Sequence, residues 1–487
     1  MSDLWIISED SFEPHKQHHH ETIFTIGNGY LCTRGAFEEG YPDDRRATFI
    51  HGVFDEAPIV FTELANAPDW LPVTVYLNEE RFSLDTGTIE SFRRALDLRT
   101  GLLTRTVRWR SPSGMAATLT FERFASLADE QLLYLRCRVT PEFTGTVEFR
   151  LGLNGNMHNE GLVHWEWLGQ GKQDSAIYLH NRTRSSEIDI ATAMQVTDVL
   201  GHELLRQEWD VENAPTLMIR VEAVPGQTIG IDKRVAVFTS RDVGSTEVVN
   251  SAIQRVGKSA DWQSALDANT QAWAEEWDRS DVVIEGDDEA QIAIRFNLFQ
   301  MLIAAPRHDD RVNIGAKSLS GFGYRGHAFW DTEIFMLPLF TYTAPHVARN
   351  LLNYRYRNLP GARRKAEANG FEGAQFPWES ADTGDEVTPT WVTHFADHTK
   401  LVRIWTGDIE IHISADIAHA AYQYWQATGD DDWFIEKGME LILDTARFWA
   451  SRAEWNAELN RYEYNDVIVP DEYHEHGDNN AYTSRLA

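Results

Sequence analysis

Apolar and polar residues alternate along much of the first half of the chain. Val73, Val75 and Leu77 interleave with Thr74, Tyr76 and Asn78, and Ala117, Leu119 and Phe121 with Thr118, Thr120 and Glu122. Leu133, Leu135, Cys137 and Val139 do the same with Tyr134, Arg136 and Arg138. Period two with one apolar face predicts half-buried antiparallel strands. Turn residues separate the runs: Ser111-Pro112-Ser113-Gly114 lies between two of them, and Pro225-Gly226 precedes another. Many short strands without intervening helices predict a sandwich rather than a parallel sheet. The period changes near residue 248. Trp262, Leu266, Trp273 and Trp277 fall at helical spacing, and Asp287 or Asp288 is placed to cap a helix carrying Ile292, Phe296, Phe299 and Ile303. Ile413, Ile417, Ala420 and Tyr424 repeat that spacing, as do Ile435, Met439, Ile442, Ala446, Trp449 and Ala453. The expected organisation is multidomain: an N-terminal antiparallel β-sandwich over residues 1–247, a helical linker over 248–286, and helices from 287 to 487. A last helix is expected from near Glu475, with no Gly, Asn or Pro stop signal after it, so the sequence is expected to be cut within an element.

Composition narrows the function classes. At 487 residues and 43% hydrophobic, the chain is long enough for several buried cores. A formal net charge of −31 is the wrong sign for phosphate backbones or anionic lipid headgroups, so neither nucleic acid nor a membrane is expected as partner. Cys32 and Cys137 are the only cysteines, too few for a disulfide framework or a thiolate metal site. The first residues have no basic stretch followed by an apolar run, and no stretch approaches the ~18 apolar residues of a membrane span. A cytoplasmic protein is expected. The 17 Trp change the picture most. Core filling explains many of them, but an aromatic ring also packs on the apolar face of a pyranose.

Three loop segments then stand out. They are Gly321–Phe335, with His327, Trp330, Asp331 and Glu333; Phe376–Glu386, with Trp378, Glu379 and Asp382; and Val469–Asn480, with Asp471, Glu472, Tyr473, His474 and Glu475. Each sets a carboxylate beside an aromatic ring, the pairing that a sugar subsite needs. Cleaving a glycosidic bond takes a proton donor to the leaving oxygen and a base or nucleophile on the opposite face. Where inorganic phosphate is the nucleophile, one acid suffices. That acid should sit among groups that raise its pKa, and Glu472 fits best.

The segments resemble glycoside hydrolase family 65, the inverting α-glucoside phosphorylases acting on maltose, trehalose, kojibiose, nigerose and similar disaccharides. The matching runs are His20–Tyr30 with Thr33-Arg34-Gly35, Gly326–Glu333, Gly373–Ala381, Glu410–Ala418, and Pro470–Glu475 with Asp478–Ala481. They span nearly the whole chain in the family's order. The resemblance implies a β-sandwich, a helical linker and, here, the first half of an (α/α)6 barrel. It implies Glu472 as general acid, Trp330, Asp331 and Trp378 around the bound glucose, and Glu379 bridging toward the acceptor sugar. It implies phosphate as co-substrate, no other cofactor and a homodimer, with the acceptor site shaped by the loop from about Asp385 to Trp405. The family's phosphate-binding residues and a Lys-Gln pair on the glucose come later in its chains than this sequence runs, so truncation after the acid motif is expected. Two positions depart from the pattern: Val469 stands where Gly is usual, and Gly477 where Val is usual.

Weaker signals read blandly. His18-His19-His20 precedes the Gly27-Asn28-Gly29 segment of the family pattern and reads as native sequence, and His474-Glu475-His476 lacks the i,i+4 zinc spacing, so no metal is expected. His412 reads as a polar core or supporting residue rather than a substrate contact, and Gly27-Asn28-Gly29 as a tight turn. The rival functions are a hydrolase of the same fold, needing a second carboxylate as base, and an inactive or split half that needs a second chain carrying the rest of the barrel.

Overall fold

The computed structural model of the chain describes residues 4–394, 396–397 and 399–487. Phe395 and His398, within the loop expected to shape the acceptor site, lie outside them. The chain is multidomain, with a sheet-rich N-terminal part and a helical C-terminal part. It forms two compact units. One takes the chain up to Ile50 together with Ala65–Ala304, and the other takes His51–Leu64 with Ala305–Ala487.

The first unit contains a nine-stranded and a five-stranded sheet, each paired antiparallel throughout. The alternating runs lie on the strands Val73–Leu77, Ala116–Ala125 and Leu132–Pro141. Val73, Val75, Leu77, Leu119, Phe121, Leu133, Leu135, Cys137 and Val139 are all buried. The Gly27-Asn28-Gly29 segment is a tight turn: Asn28 Oδ1 accepts the N–H groups of Tyr30 and Leu31 between two short antiparallel strands. Strands end at Thr239, and the helix Val248–Gly257 packs on the strands Asp189–Leu200 and Ile229–Thr239. Trp262–Ser280 and Asp288–Ile303 follow, capped by Asp261 and Asp287, whose side chains accept the N–H of Ser264 and Ala290. Trp273 stacks on both Trp277 and Phe299, so these helices belong to the sheet-bearing unit.

In the second unit the helix Ile413–Thr428 is central. It lies against Leu337–Thr343, Pro345–Arg357, Met439–Arg452 and Ala481–Leu486. Ile413, Ile417, Ala420 and Tyr424 are buried along it, as their spacing requires. The stripe expected from Ile435 to Ala453 is different. Ile435 and Met439 are exposed, and the buried positions are Leu441, Asp444, Thr445, Phe448 and Trp449. A π-turn over Phe434–Gly438 widens the first turn and rotates the face that follows. Asp444 joins the buried set because Arg363 pairs with it. The last helix begins at Ala481, not near Glu475: Asn480 caps it through the Thr483 N–H, and the residues before it form a turn.

Candidate functional site

The 326–333 segment is held by a tight left-handed turn. Tyr324, Arg325 and Gly326 have φ of 53°, 56° and 80°. A Cβ on Gly326 would fall 2.3 Å from Leu64 Cδ1, so glycine alone fits there. The turn delivers His327 into full burial, where Nε2 meets the Thr62 carbonyl oxygen and Nδ1 meets Glu379 Oε2, both at 2.7 Å. A carbonyl only accepts, so Nε2 carries a proton and donates it to Thr62. Burial, first of all, raises the Glu379 pKa; His327 opposes this, while Glu386 and Glu472 add to it.

Ala328 and Ser380 exchange backbone hydrogen bonds at 2.9 Å, which sets the first two loop segments side by side. Beneath them Arg355 is fully buried. Its guanidinium donates to both oxygens of Glu333 at 2.7 and 2.8 Å, to Ser380 Oγ and to the Phe329 carbonyl. Glu386 holds the second segment by its backbone, accepting the N–H groups of Trp378 and Glu379 and pairing with Lys365. The third segment is tied down at its ends. Val467 and Gly477 pair through their backbones, and the Ile468 N–H reaches the Ile409 carbonyl. A Cβ on Gly477 would lie 3.4 Å from Val469 Cγ1, an ordinary contact distance.

The five residues expected from sequence come together in this unit. Trp330 and Trp378 lie with ring centroids 6.5 Å apart, and both meet the edge of His412, at 4.8 and 5.3 Å. Trp330 and Asp331 keep part of their surface open, whereas Trp378 and Glu379 are buried. Glu472 stands open on one side with no hydrogen-bond partner among the described residues. Protein on its other side withdraws water and raises its pKa; the His412 charge opposes that rise and the Asp331 charge adds to it. Asp331 is raised too, by burial, with Lys317 opposing. The arrangement is an aromatic wall flanked by carboxyls that hold protons more tightly than in water. That suits proton donation and hydroxyl recognition.

Sequence analysis placed His327, Glu333 and Glu386 in the dense loops and read His412 as supporting, but it missed how they are held: the Arg355 clamp on Glu333 and the two carboxylate partners of His412. His412 Nδ1 lies 2.7 Å from Asp416 Oδ2, Nε2 lies 3.2 Å from Glu410 Oε1, and Tyr482 donates to Asp416 Oδ1 at 2.7 Å. Burial alone would depress the His412 pKa, but its hydrogen bonds to Asp416 and Glu410 more than offset this and raise it. A raised histidine contributes stability that is complete below its unfolded value of about 6.5 and is lost as pH climbs through the folded value. His412→Asn should therefore lower the melting temperature most near pH 6, by an amount equivalent to about 1–3 kcal/mol, with the gap closing toward pH 9. A gap constant across that range in thermal melts would mean that His412 is not charged in the fold. Among the described residues, no group of three or more His, Cys, Asp or Glu side chains is disposed to hold a metal ion.

Comparison with known proteins decides the family. Residues 7–276 match the N-terminal domain of glycosyl hydrolase family 65, and residues 295–487 match its central catalytic domain. The chain belongs to glycoside hydrolase family 65. Within the family it is 41% identical to a kojibiose phosphorylase of Halothermothrix orenii, over 99% of this chain and 64% of that protein. It is 30% identical to an α,α-trehalose phosphorylase of Thermoanaerobacter brockii, again over 99% of this chain and 64% of the relative. The family fold is matched by a solved human-microbiome protein described as a candidate kojibiose phosphorylase. That match has a TM-score of 0.89 at 23% identity and covers all of this chain and 64% of the other. The chain thus spans about 64% of the length of the family 65 relatives it matches. Among the described residues, no helix is long and apolar enough to cross a membrane.

Proposed function

We propose that this chain carries the glucose-binding and proton-donating side of an inverting α-glucoside phosphorylase. Trp330, Asp331 and Trp378 hold the glucose, Glu379 bridges toward the acceptor sugar, and Glu472 is the general acid. A phosphate oxygen attacks the anomeric carbon from the face opposite the leaving oxygen. As the bond to that oxygen breaks, Glu472 gives it a proton, leaving β-glucose 1-phosphate and a free sugar. The observation that carries this reading is the setting of Glu472: an open carboxyl with a raised pKa, electrostatically coupled to Asp331 and to the cluster behind Trp330 and Trp378. The family and the 41% identity to a kojibiose phosphorylase support a phosphorylase, and within that class kojibiose as the disaccharide. The fold is read as a β-sandwich to residue 247, a linker to 286 and the first half of an (α/α)6 barrel.

The phosphate and the remaining glucose contacts are assigned to a segment that completes the barrel, either in the same polypeptide or as a second chain. Two facts support this. The relatives are longer, and Phe335, Tyr342, Ile435 and Leu443 are exposed on the helices of this unit. The working enzyme is read as a cytoplasmic homodimer. The test is phosphate dependence. In the complete enzyme, omitting phosphate should cut sugar release from the disaccharide to about 1% or less, a loss consistent with removing the reacting partner itself. Release that continues unchanged in phosphate-free buffer would favour the hydrolase of the same fold.

A further inference from the structure

The cluster behind the ring pair has a composition that packing alone does not call for. His412 is completely buried, yet both ring nitrogens face carboxyl oxygens, from Asp416 on its own helix and Glu410 just before it. Asp416 and Glu410 are themselves buried, and Tyr482 from the last helix fixes Asp416 from the other side. Oε2 of Glu410 is buried without a hydrogen-bond partner among the described residues. Three rings then close on the imidazole edge-to-face: Trp330 at 4.8 Å, Trp378 at 5.3 Å and Tyr482 at 5.3 Å, with interplanar angles of 75°, 78° and 84°.

We infer that His412, locked between Glu410 and Asp416, is a positioning residue: it fixes the orientation of Trp330 and Trp378 and sets the electrostatic field at Glu472 from behind the sugar site.

Geometry supports the first role. A ring that is hydrogen-bonded at both nitrogens cannot rotate, and two tryptophans resting on its edges inherit that rigidity. The second role follows from charge. Asp416 and Glu410, the latter with its pKa lifted to about 7 by burial, hold the imidazole as a cation, and Glu472 feels that charge together with those of Asp331 and Glu379. The groups that face the cluster are Glu410, Asp416, Tyr482 and Glu472, with Arg355 felt by Asp416 and Asp331 felt by Glu472. The His412 charge favours the ionised form of Glu472. The cluster therefore acts as a fixed counterweight that keeps the acid from holding its proton too tightly to release it.

This inference rests on the reading of Glu472 as proton donor, and the experiment separates the two. The pH dependence of kcat/KM would be measured in the complete enzyme with an ordinary disaccharide and with an activated glucosyl donor. The activated donor needs no proton from Glu472, so an alkaline limb seen only with the disaccharide reports that carboxyl. His412→Asn keeps a donor for Asp416 but removes the cation; Glu410→Gln keeps an acceptor for His412 but removes an anion. The limb should move up by about half a unit or more in His412→Asn, whereas Glu410→Gln, which leaves Asp416 to hold the cation, should move it by less. His412→Asn should also lose about tenfold or more in kcat with both donors, because the ring pair loosens.

An upward shift in His412→Asn supports the inference, and a purely structural role would not produce it. An unmoved limb in that folded variant would overturn it. If His412→Asn does not fold, His412→Gln decides: an upward shift supports the inference and an unmoved limb overturns it. A limb present with both donors in the unsubstituted enzyme would instead count against Glu472 as the donor.

Discussion

Replacing Glu472 by Gln should lower turnover of an ordinary disaccharide by about 10²–10⁴-fold, the range for loss of a positioned general acid. Glutamine keeps the size of the side chain and can still donate an N–H, but it cannot transfer a proton to the leaving oxygen. Sugar binding should be nearly unchanged, since Glu472 makes no hydrogen bond among the described residues and its removal leaves no buried partner stranded. An activated glucosyl donor, whose leaving group departs without a proton, should lose no more than about tenfold. Initial rates with both donors at saturating phosphate measure the contrast directly. Equal losses with both donors would mean that Glu472 binds the ground state or holds the loop, and the proton donor would have to be sought elsewhere.

The second large effect belongs to Arg355. Its guanidinium is fully buried and joins Glu333, Ser380 and the Phe329 carbonyl, so it fastens the two ring-bearing segments to one helix. Arg355→Met leaves the buried Glu333 carboxylate without its counter-charge. Breaking a buried ion pair from one side costs about 3–5 kcal/mol, a large share of the ~5–15 kcal/mol that holds a domain together. Denaturant unfolding should show that loss, and turnover should fall with it as Trp330 and Glu379 lose their common anchor. Adding Glu333→Gln to Arg355→Met should recover part of the stability, because the stranded charge is gone. A loss below about 1 kcal/mol in the single variant would show that the pair is solvated in solution and does not clamp the loops.

Much of this was legible in the chain. Alternation exposed the strands around Val75, Phe121 and Cys137 because each strand has one buried face, and period two survives wherever that holds. The ring–carboxylate pairs exposed the three loops because those residue types are costly to place on loops without a use. What escaped was everything that depends on distant contact. His51–Leu64 joins the helical unit, where Thr62 and Glu63 meet His327 and Arg325, residues more than 260 positions away that leave no local trace. Arg355 sits on the helix Pro345–Arg357 among other arginines, where charge reads as a solvated face. The stripe from Ile435 was misplaced because a π-turn breaks the 3.6-residue period on which the reading depended. The reading of His412 as a supporting residue did not name its two carboxylate partners, which lie only two and four residues away.

If the three loop segments build one glucose subsite with Glu472 as its acid, a crystal structure of the complete enzyme with glucose and phosphate bound will show it. The glucose ring is expected against Trp330, with Asp331 on its hydroxyls, and a Glu472 carboxyl oxygen within about 3 Å of the anomeric oxygen. Phosphate should lie on the opposite face of the anomeric carbon. Glucose bound elsewhere, or phosphate and Glu472 on the same face of the sugar, would contradict it.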